Sequence, residues 1–166
     1  MNKRNIIICL VTTLVFTGCK KDDFDGMTAN HPHIPVTVSN LYGTFNGVPT
    51  VSTSLSGGGG IAITLNIPSG TGRTIKEITR VGIANTTSNY KVVQVTSGLY
   101  NTVPIVGNGT SVTFSTSITE FTAKTGIAVT VSGTFNSFLS RYFYFLITLD
   151  NGEQIIPVPV RVYVAA

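Results

Sequence analysis

Apolar side chains recur at every second residue over several short segments of this 166-residue chain. The clearest instances form three sets: Ile61, Ile63, Leu65 and Ile67; Val112 and Phe114; and Ile127, Val129 and Val131. Successive side chains of a β-strand point to opposite faces of its sheet, so this period predicts strands with one buried face. No segment keeps a helical apolar period, and the closest, residues 74–78, suffices for a single turn or a strand edge.

Turn-forming residues separate the alternating segments. Glycine occurs with Asn or Ser, or in a run, at positions 46–47, 57–60, 69–70, 107–109 and 151–152. Short strands divided by such turns predict a β-sandwich or a barrel. We therefore expect an all-β fold over residues 36–166, a single antiparallel β-sandwich of about 7–9 strands. The pattern resembles immunoglobulin-like and fibronectin III-like sandwiches, although the chain has no Trp and so lacks the core Trp of antibody domains.

The C-terminal part of the chain predicts one hairpin in detail. Residues 141–149 and 155–164 are rich in aromatic and β-branched side chains, and a polar turn sequence joins them. We expect Leu149 to pair with Gln154. That register brings two apolar sets together on a core face: Phe143, Phe145 and Ile147 with Val160, Val158 and Ile156.

Two prolines constrain how this hairpin turns. Pro157 and Pro159 are two residues apart, so their missing N–H groups face the same way. A tight turn at Asn151-Gly152 would place both prolines at positions where a backbone N–H normally donates a hydrogen bond to the partner strand. A four-residue loop over 150–153 turns them outward instead, which predicts a sheet edge at 157–160.

The opposite face of the hairpin carries polar and aromatic side chains. Tyr142, Tyr144 and Arg161 would lie there together, and Tyr163 follows Arg161 at the next outward position. Aromatic rings supply contact area to a ligand, and a guanidinium adds hydrogen-bond donors. We therefore predict a ligand-binding site at these four residues. The alternative is that the tyrosines cover a half-exposed face or pack on a neighbouring strand.

The folded part offers few groups for catalysis. Residues 34–166 contain no His and no Cys, and their acids are Glu77, Glu120, Asp150 and Glu153. Neither a Ser-His-Asp or Cys-His arrangement nor a zinc site with His or Cys ligands can be built from these residues. We predict no catalytic residue, no metal site and no cofactor. A hydrolase that uses two carboxylates, such as Glu77 with Glu120, is a minor alternative.

Other motifs also lack the pattern of a known chemistry. The glycine run at 57–60 precedes a strand and no Lys-Ser or Lys-Thr follows it, so it is not a phosphate-binding loop. The acidic turn at 150–153 lacks the spaced oxygen ligands of a calcium loop. The Lys and Arg residues of the folded part are scattered, so we expect no nucleic-acid binding.

The first residues carry the marks of a secretory signal. Lys3 and Arg4 precede an apolar run over residues 6–16. As a helix this run would rise roughly 16 Å, about half of a ~30 Å hydrocarbon core. The tetrad that ends at Cys19 resembles the bacterial lipobox, in which signal peptidase II cleaves before a lipidated cysteine, although Phe16 replaces the usual aliphatic residue. The alternative is an ordinary secreted protein with an incidental cysteine.

This resemblance divides the N-terminal region. Residues 1–18 would be a cleaved lipoprotein signal peptide, and 19–35 the lipidated Cys19 with a flexible tether. The two cysteines of the chain are Cys9, in the leader, and Cys19, so we expect no disulfide in the mature protein. His31 and His33, on the tether, are too few ligands for a defined metal site.

The residues after Cys19 suggest where the protein is located. The Lys-Lys-Asp-Asp sequence at 20–23 resembles the export segments of surface lipoproteins of the Bacteroidota. That resemblance implies an outer-membrane protein anchored by lipid, with the cell surface as its location. The alternative is a charged, solvated spacer.

Two kinds of function remain open. The resemblance to Bacteroidota lipoproteins implies a non-enzymatic binding or accessory module beside a TonB-dependent uptake system, with an outer-membrane transporter or a glycan as its partner. The alternative is a structural or adhesive protein, which binds another protein through an edge such as residues 42–45 or assembles with itself. A concave tyrosine cluster favours ligand capture, whereas a flat apolar patch or an open strand favours a protein partner.

The lipid anchor can be tested at Cys19. We expect Cys19→Ala to abolish lipidation, because the thioether needs the cysteine sulfur, and to release the protein from the detergent-soluble membrane fraction. Fractionation and electrophoretic mobility measure both effects. A variant that stays in that fraction with unchanged mobility would contradict the lipoprotein interpretation.

Overall fold

Strands dominate the regular secondary structure of the computed structural model, which describes residues 33–129 and 137–166. The strands of these ranges are β1 (Thr37–Val38), β2 (Gly43–Phe45), β3 (Val48–Ser54), β4 (Gly60–Asn66), β5 (Ile75–Ala84), β6 (Ile105–Val106), β7 (Ser111–Ser117), β8 (Ser137–Phe138), β9 (Tyr142–Leu149), β10 (Gln154–Ile155) and β11 (Arg161–Ala165). One α-helix, α1 (Ile118–Thr125), and two 3-10 helices, Ser69–Thr71 and Tyr90–Val93, accompany them. The all-β expectation is confirmed, and the strands outnumber the prediction because several have only two residues.

The described strands form three sheets. Their orders are β1-β4-β7, β10-β9-β5-β6 and β2-β3-β11-β8. The prediction of a wholly antiparallel fold is wrong at one pair, since β11 runs parallel to β3. Parallel neighbours need a long connection, and here most of the chain lies between the two strands. The C-terminal strand is therefore held beside a strand from the N-terminal part of the domain.

The inner faces of all three sheets share one core. The predicted sets on β4 and β7 are buried there: Ile61, Ile63, Leu65, Ile67, Val112 and Phe114. The ring of Phe143 lies at the centre. Its centroid is 5.4 Å from that of Tyr100, 5.4 Å from that of Phe114 and 6.2 Å from that of Phe121. These spacings are within the favourable range for aromatic pairs.

The C-terminal hairpin follows the prediction only in part. The four-residue loop at 150–153 is present, and Phe143 pairs with Val160 as expected. At the turn, however, Gln154 faces Thr148 instead of Leu149. The shift brings Ile155 into the main core, while Ile156 packs on the opposite side of the sheet and Val158 is 50% exposed. The predicted core positions of Ile156 and Val158 are therefore wrong.

The prolines explain this change of register. β10 ends at Ile155, and the following residues through Pro159 lie outside any strand. Pro157 and Pro159 are buried, and the chain crosses between them from the β10 edge of one sheet to β11 of another. The predicted edge exists at β10, but the prolines end the strand instead of lying within it.

The helix α1 was not anticipated. The Oγ of Ser117 accepts a hydrogen bond from the N–H of Glu120 at 3.0 Å, and Gly126, at φ 69°, ends the helix. Both are standard helix-terminus signals. The helix buries Ile118 and Phe121 in the core. The strand predicted over 127–131 is wrong for its described part, since Ile127 and Val129 lie in an irregular segment.

Several predictions concern residues outside the described ranges. These are the signal peptide, Cys19, the tether with His31, and Val131. Within 33–129 and 137–166, no helix has the length and hydropathy needed to cross a membrane.

The helix cap gives a stability prediction. We expect Ser117→Ala to lower the free energy of unfolding by about 1 kcal/mol, because the Glu120 N–H loses its acceptor. Urea unfolding measures the change. Ser115→Ala, at an exposed position of the same strand, serves as the control. Equal losses in both variants would contradict a capping role.

Candidate functional site

The structure brings three of the four predicted site residues together and places Tyr144 elsewhere. Arg161 and Tyr163 lie on the outer face of β11, because they alternate with the core residues Val162 and Val164. Tyr142, at the start of β9, lies beside this face, with its ring centroid 5.3 Å from Cζ of Arg161. Three of the four side chains are thus brought into one region, and all three are half-buried.

Tyr144 does not belong to this surface. It is completely buried on the face of its sheet away from the main core, in a second cluster with Ala84, Val93 and Leu146, and Tyr142 packs against the rim of this cluster. Its Oη donates to the carbonyl of Thr86 and accepts from the N–H of Asn89. Burial raises the pKa of this phenol. The predicted binding role of Tyr144 is therefore wrong, because the loop after β5 covers its ring.

Tyr144 gives a second stability prediction. We expect Tyr144→Phe to cost about 1–3 kcal/mol of unfolding free energy, since the backbone groups of Thr86 and Asn89 lose their partner. The matched control is Tyr90→Phe, because the Tyr90 ring packs against Tyr144 at 5.5 Å but is itself 37% exposed. Thermal unfolding of both variants measures the loss of unfolding free energy. An equal loss in the two variants would contradict a specific role for the Tyr144 hydroxyl.

Three further aromatic residues join the site, and sequence reasoning missed them. Tyr42 stacks on Tyr163 with centroids 5.0 Å apart and planes inclined by 11°. Phe138 meets Tyr163 edge-on at 5.4 Å, and Phe45 meets Phe138 at 5.2 Å. We call this surface the aromatic face; it consists of Tyr42, Phe45, Phe138, Tyr142, Tyr163 and Arg161.

Strand register explains why these residues meet. The turn at Asn46-Gly47, with φ of 52° and 78°, closes the β2–β3 hairpin and sets Phe45 opposite Val48. The parallel pairing of β3 with β11 sets Ser52 opposite Tyr163. On the other side of β11, Phe138 of β8 also faces Tyr163. Directly paired residues project from the same side of a sheet, so the rings converge over β3 and β11.

The aromatic face also has a structural role. It covers small residues of β3, and both Val48 and Thr50 are buried although neither belongs to the main core. Gly43 leaves room for a ring, because a Cβ there would lie 3.2 Å from the Phe45 ring. The rings thereby hold the edge strands β2 and β8 onto the sheet, and part of their surface is used for stability.

The rest of the aromatic face is open to solvent. Tyr42 is 54% exposed and Phe45 is 38% exposed, and Leu41 beside them is also exposed. A nearby cleft lined by Ile127, Val129 and Phe138 has a volume of about 120 Å³. Pockets for drug-sized ligands usually measure about 300 Å³ or more. The aromatic face is therefore suited to contact with a flat surface and not to enclosure of a small molecule.

Arg161 supplies the positive charge of the aromatic face. Its Cζ lies 4.0 Å above the ring of Phe138, which is a cation–π distance. Its Nε is buried and has no hydrogen-bond partner in the described structure. Among the described residues, neither Arg161 nor Arg141 forms an ion pair. A charged donor is thus fixed in place without an anion.

Sheet edges are less open than the aromatic face. The side chain of Asn40 donates to the carbonyl of Ala62 at 2.8 Å and accepts from the N–H of Thr64 at 3.0 Å, which covers the part of β4 that the short strand β1 leaves unpaired. The hairpin strand predicted as a substitute edge, β2, does lie at a sheet edge but is only three residues long. Addition of a partner strand is therefore limited at both places.

Two carboxylates of the domain, Glu120 and Glu77, form hydrogen bonds with neighbouring side chains. Glu120 accepts hydrogen bonds from Lys124 and Thr116, which hold its pKa below the usual value, whereas a general acid needs a raised pKa. Glu77 accepts from Thr79 at 3.1 Å. No group of three or more His, Cys, Asp or Glu residues in the described part could hold a metal ion.

No family model, curated protein or solved structure matches this chain.

Proposed function

We propose that this protein is a non-enzymatic binding or accessory module, held by a lipid on Cys19 at the bacterial cell surface, and that the aromatic face is its docking site for another protein. The observation that carries this proposal is the exposed aromatic surface around Tyr42, with Arg161 beside it, which pairs with no acid among the described residues. Tyr, Phe and Arg are the residues enriched in the buried centres of protein interfaces. An outer-membrane transporter of a glycan-uptake system fits the location that the leader implies.

The ring geometry favours a protein over direct capture of a sugar. Sugars stack on free aromatic faces, but Tyr42 and Tyr163 cover one face of each other at 5.0 Å and 11°. Phe138 is covered by the guanidinium of Arg161 on one side. One face of each stacked ring, the ring edges and a broad apolar surface remain, and together these match another protein surface better than a sugar ring.

A second copy of the chain is the other candidate partner. The same surface could pair with itself across a two-fold axis, since such an interface uses one patch twice. That outcome corresponds to the structural or adhesive function. Identification of what is captured with the protein separates the two functions.

Capture from native membranes tests the proposal. We expect the full-length protein, extracted in mild detergent, to retain a partner protein, and Tyr42→Ala or Phe45→Ala to reduce retention about tenfold or more, as for an interface hot spot. Val106→Ala is the matched control, because Val106 is 80% exposed but lies on β6 of a different sheet. Quantitative mass spectrometry of the captured material gives the readout.

Three results would contradict the proposed function. Retention of the same partner by Tyr42→Ala and by Phe45→Ala would show that the aromatic face is not the docking site. Recovery of the protein alone at native concentration, combined with binding of a soluble glycan that Tyr42→Ala abolishes, would favour direct sugar capture. Recovery of a second copy alone would indicate self-assembly.

A further inference from the structure

We propose that Arg161 is the receptor for a carboxylate, and that the segment docked on the aromatic face is an acidic peptide of the partner protein. This inference rests on the proposed docking function and specifies the chemistry of the partner. It starts from one anomaly of the surface, a guanidinium whose buried Nε has no acceptor in the described structure.

The guanidinium is held in a fixed position. Its Cζ lies 4.0 Å over the Phe138 ring and 5.3 Å from the centroid of Tyr142. Two aromatic rings thus restrain the plane of the guanidinium and its forked N–H groups before any ligand binds. A fixed fork loses less conformational entropy on binding than a free side chain, and its parallel N–H groups match the two oxygens of a carboxylate.

The unpaired Nε leaves the positive charge of Arg161 poorly compensated within the described structure. A buried donor without a partner is costly, and the cost is larger for a charged group. Aromatic faces stabilise the positive charge but accept only weakly from an N–H. Nε itself is closed to an external ligand, but the Arg161 side chain is only half-buried, so an anion bound at its terminal N–H groups would balance the charge.

The surrounding chain supplies no such anion among its described residues. Glu77 lies on β5, Glu120 lies on α1, and Asp150 and Glu153 lie in the loop before β10. None of these acids is on a strand of the β2-β3-β11-β8 sheet. Arg141, one residue before Tyr142, adds a second positive charge near the start of β9. Charge complementarity therefore points to a negatively charged partner.

The aromatic surroundings favour a peptide as the carrier of the carboxylate. An Asp or Glu side chain can reach Arg161 while its neighbours cover Tyr42, Phe45 and Leu41, all of which are exposed apolar groups. An acidic sugar would bring a carboxylate too, but the stacking of Tyr42 on Tyr163 reduces the free ring surface that a sugar needs. The acidic glycan is therefore an outcome of the test and not the proposal.

Zero-length crosslinking tests the carboxylate directly. Arg161→Lys keeps the positive charge and places an amine where the guanidinium was. A water-soluble carbodiimide, added to native membranes that contain the full chain, activates a nearby carboxyl, and the amine displaces the activated oxygen to form an amide. We expect a crosslink from position 161 to an Asp or Glu of another polypeptide. Arg73→Lys is the matched control at an exposed loop position and should give no such product.

The outcomes separate this inference from the docking proposal. A crosslink at position 161 to a peptide of the partner supports the inference, and Arg161→Gln should then lower partner retention about tenfold, or about 1.4 kcal/mol. If partner retention depends on Tyr42 but position 161 forms no crosslink, the proposed role of Arg161 as a carboxylate receptor is overturned. The docking site at the aromatic face is then unaffected. A uronic-acid adduct at position 161, or a crosslink to an acid of the same chain, would also overturn it. Partner retention that is unchanged in Tyr42→Ala would contradict the docking proposal itself.

Discussion

The fold depends on the burial of β9 on both of its faces. On one face, the Phe143 ring contacts Tyr100, Phe114 and Phe121, which come from a loop, from β7 and from α1. On the other face, Tyr144 is buried under the loop after β5 and hydrogen-bonds to it. One strand therefore links two layers of structure without a disulfide in the described part. The core must supply most of the stability through apolar burial and aromatic contacts.

The candidate site follows from this arrangement. The chain leaves β10, crosses through Pro157 and Pro159, and enters β11, which lies parallel to β3. Alternation along β11 directs Val162 into the core and Tyr163 outward. The strand that completes the fold thus also carries the centre of the aromatic face. Stability and the proposed binding are coupled there, because the rings that a partner would contact also hold the edge strands in place.

The sequence predicted local features well and long-range ones poorly. Alternation identified the buried face of β4, and the turn sequence identified the loop at 150–153, because both signals lie within a few residues. The contact of Tyr42 with Tyr163 depends on a parallel pairing between distant strands, which no local pattern encodes. Helix α1 was missed although its capping box, Ser117 to Glu120, is visible in the sequence. Tyr144 was misplaced because alternation does not reveal that a loop covers the second face.

We propose that a protein covers the aromatic face in the native membrane. Hydroxyl-radical footprinting of intact cells, compared with the purified protein, measures this directly at Tyr42 and Phe45. Tyr90 is the internal reference, since its exposure of 37% is close to the 38% of Phe45 and it lies on another part of the molecule. If a protein covers this face, Tyr42 and Phe45 are oxidised several-fold less on cells than in the purified protein, while the oxidation of Tyr90 is unchanged. Equal oxidation of all three residues in both states would contradict it.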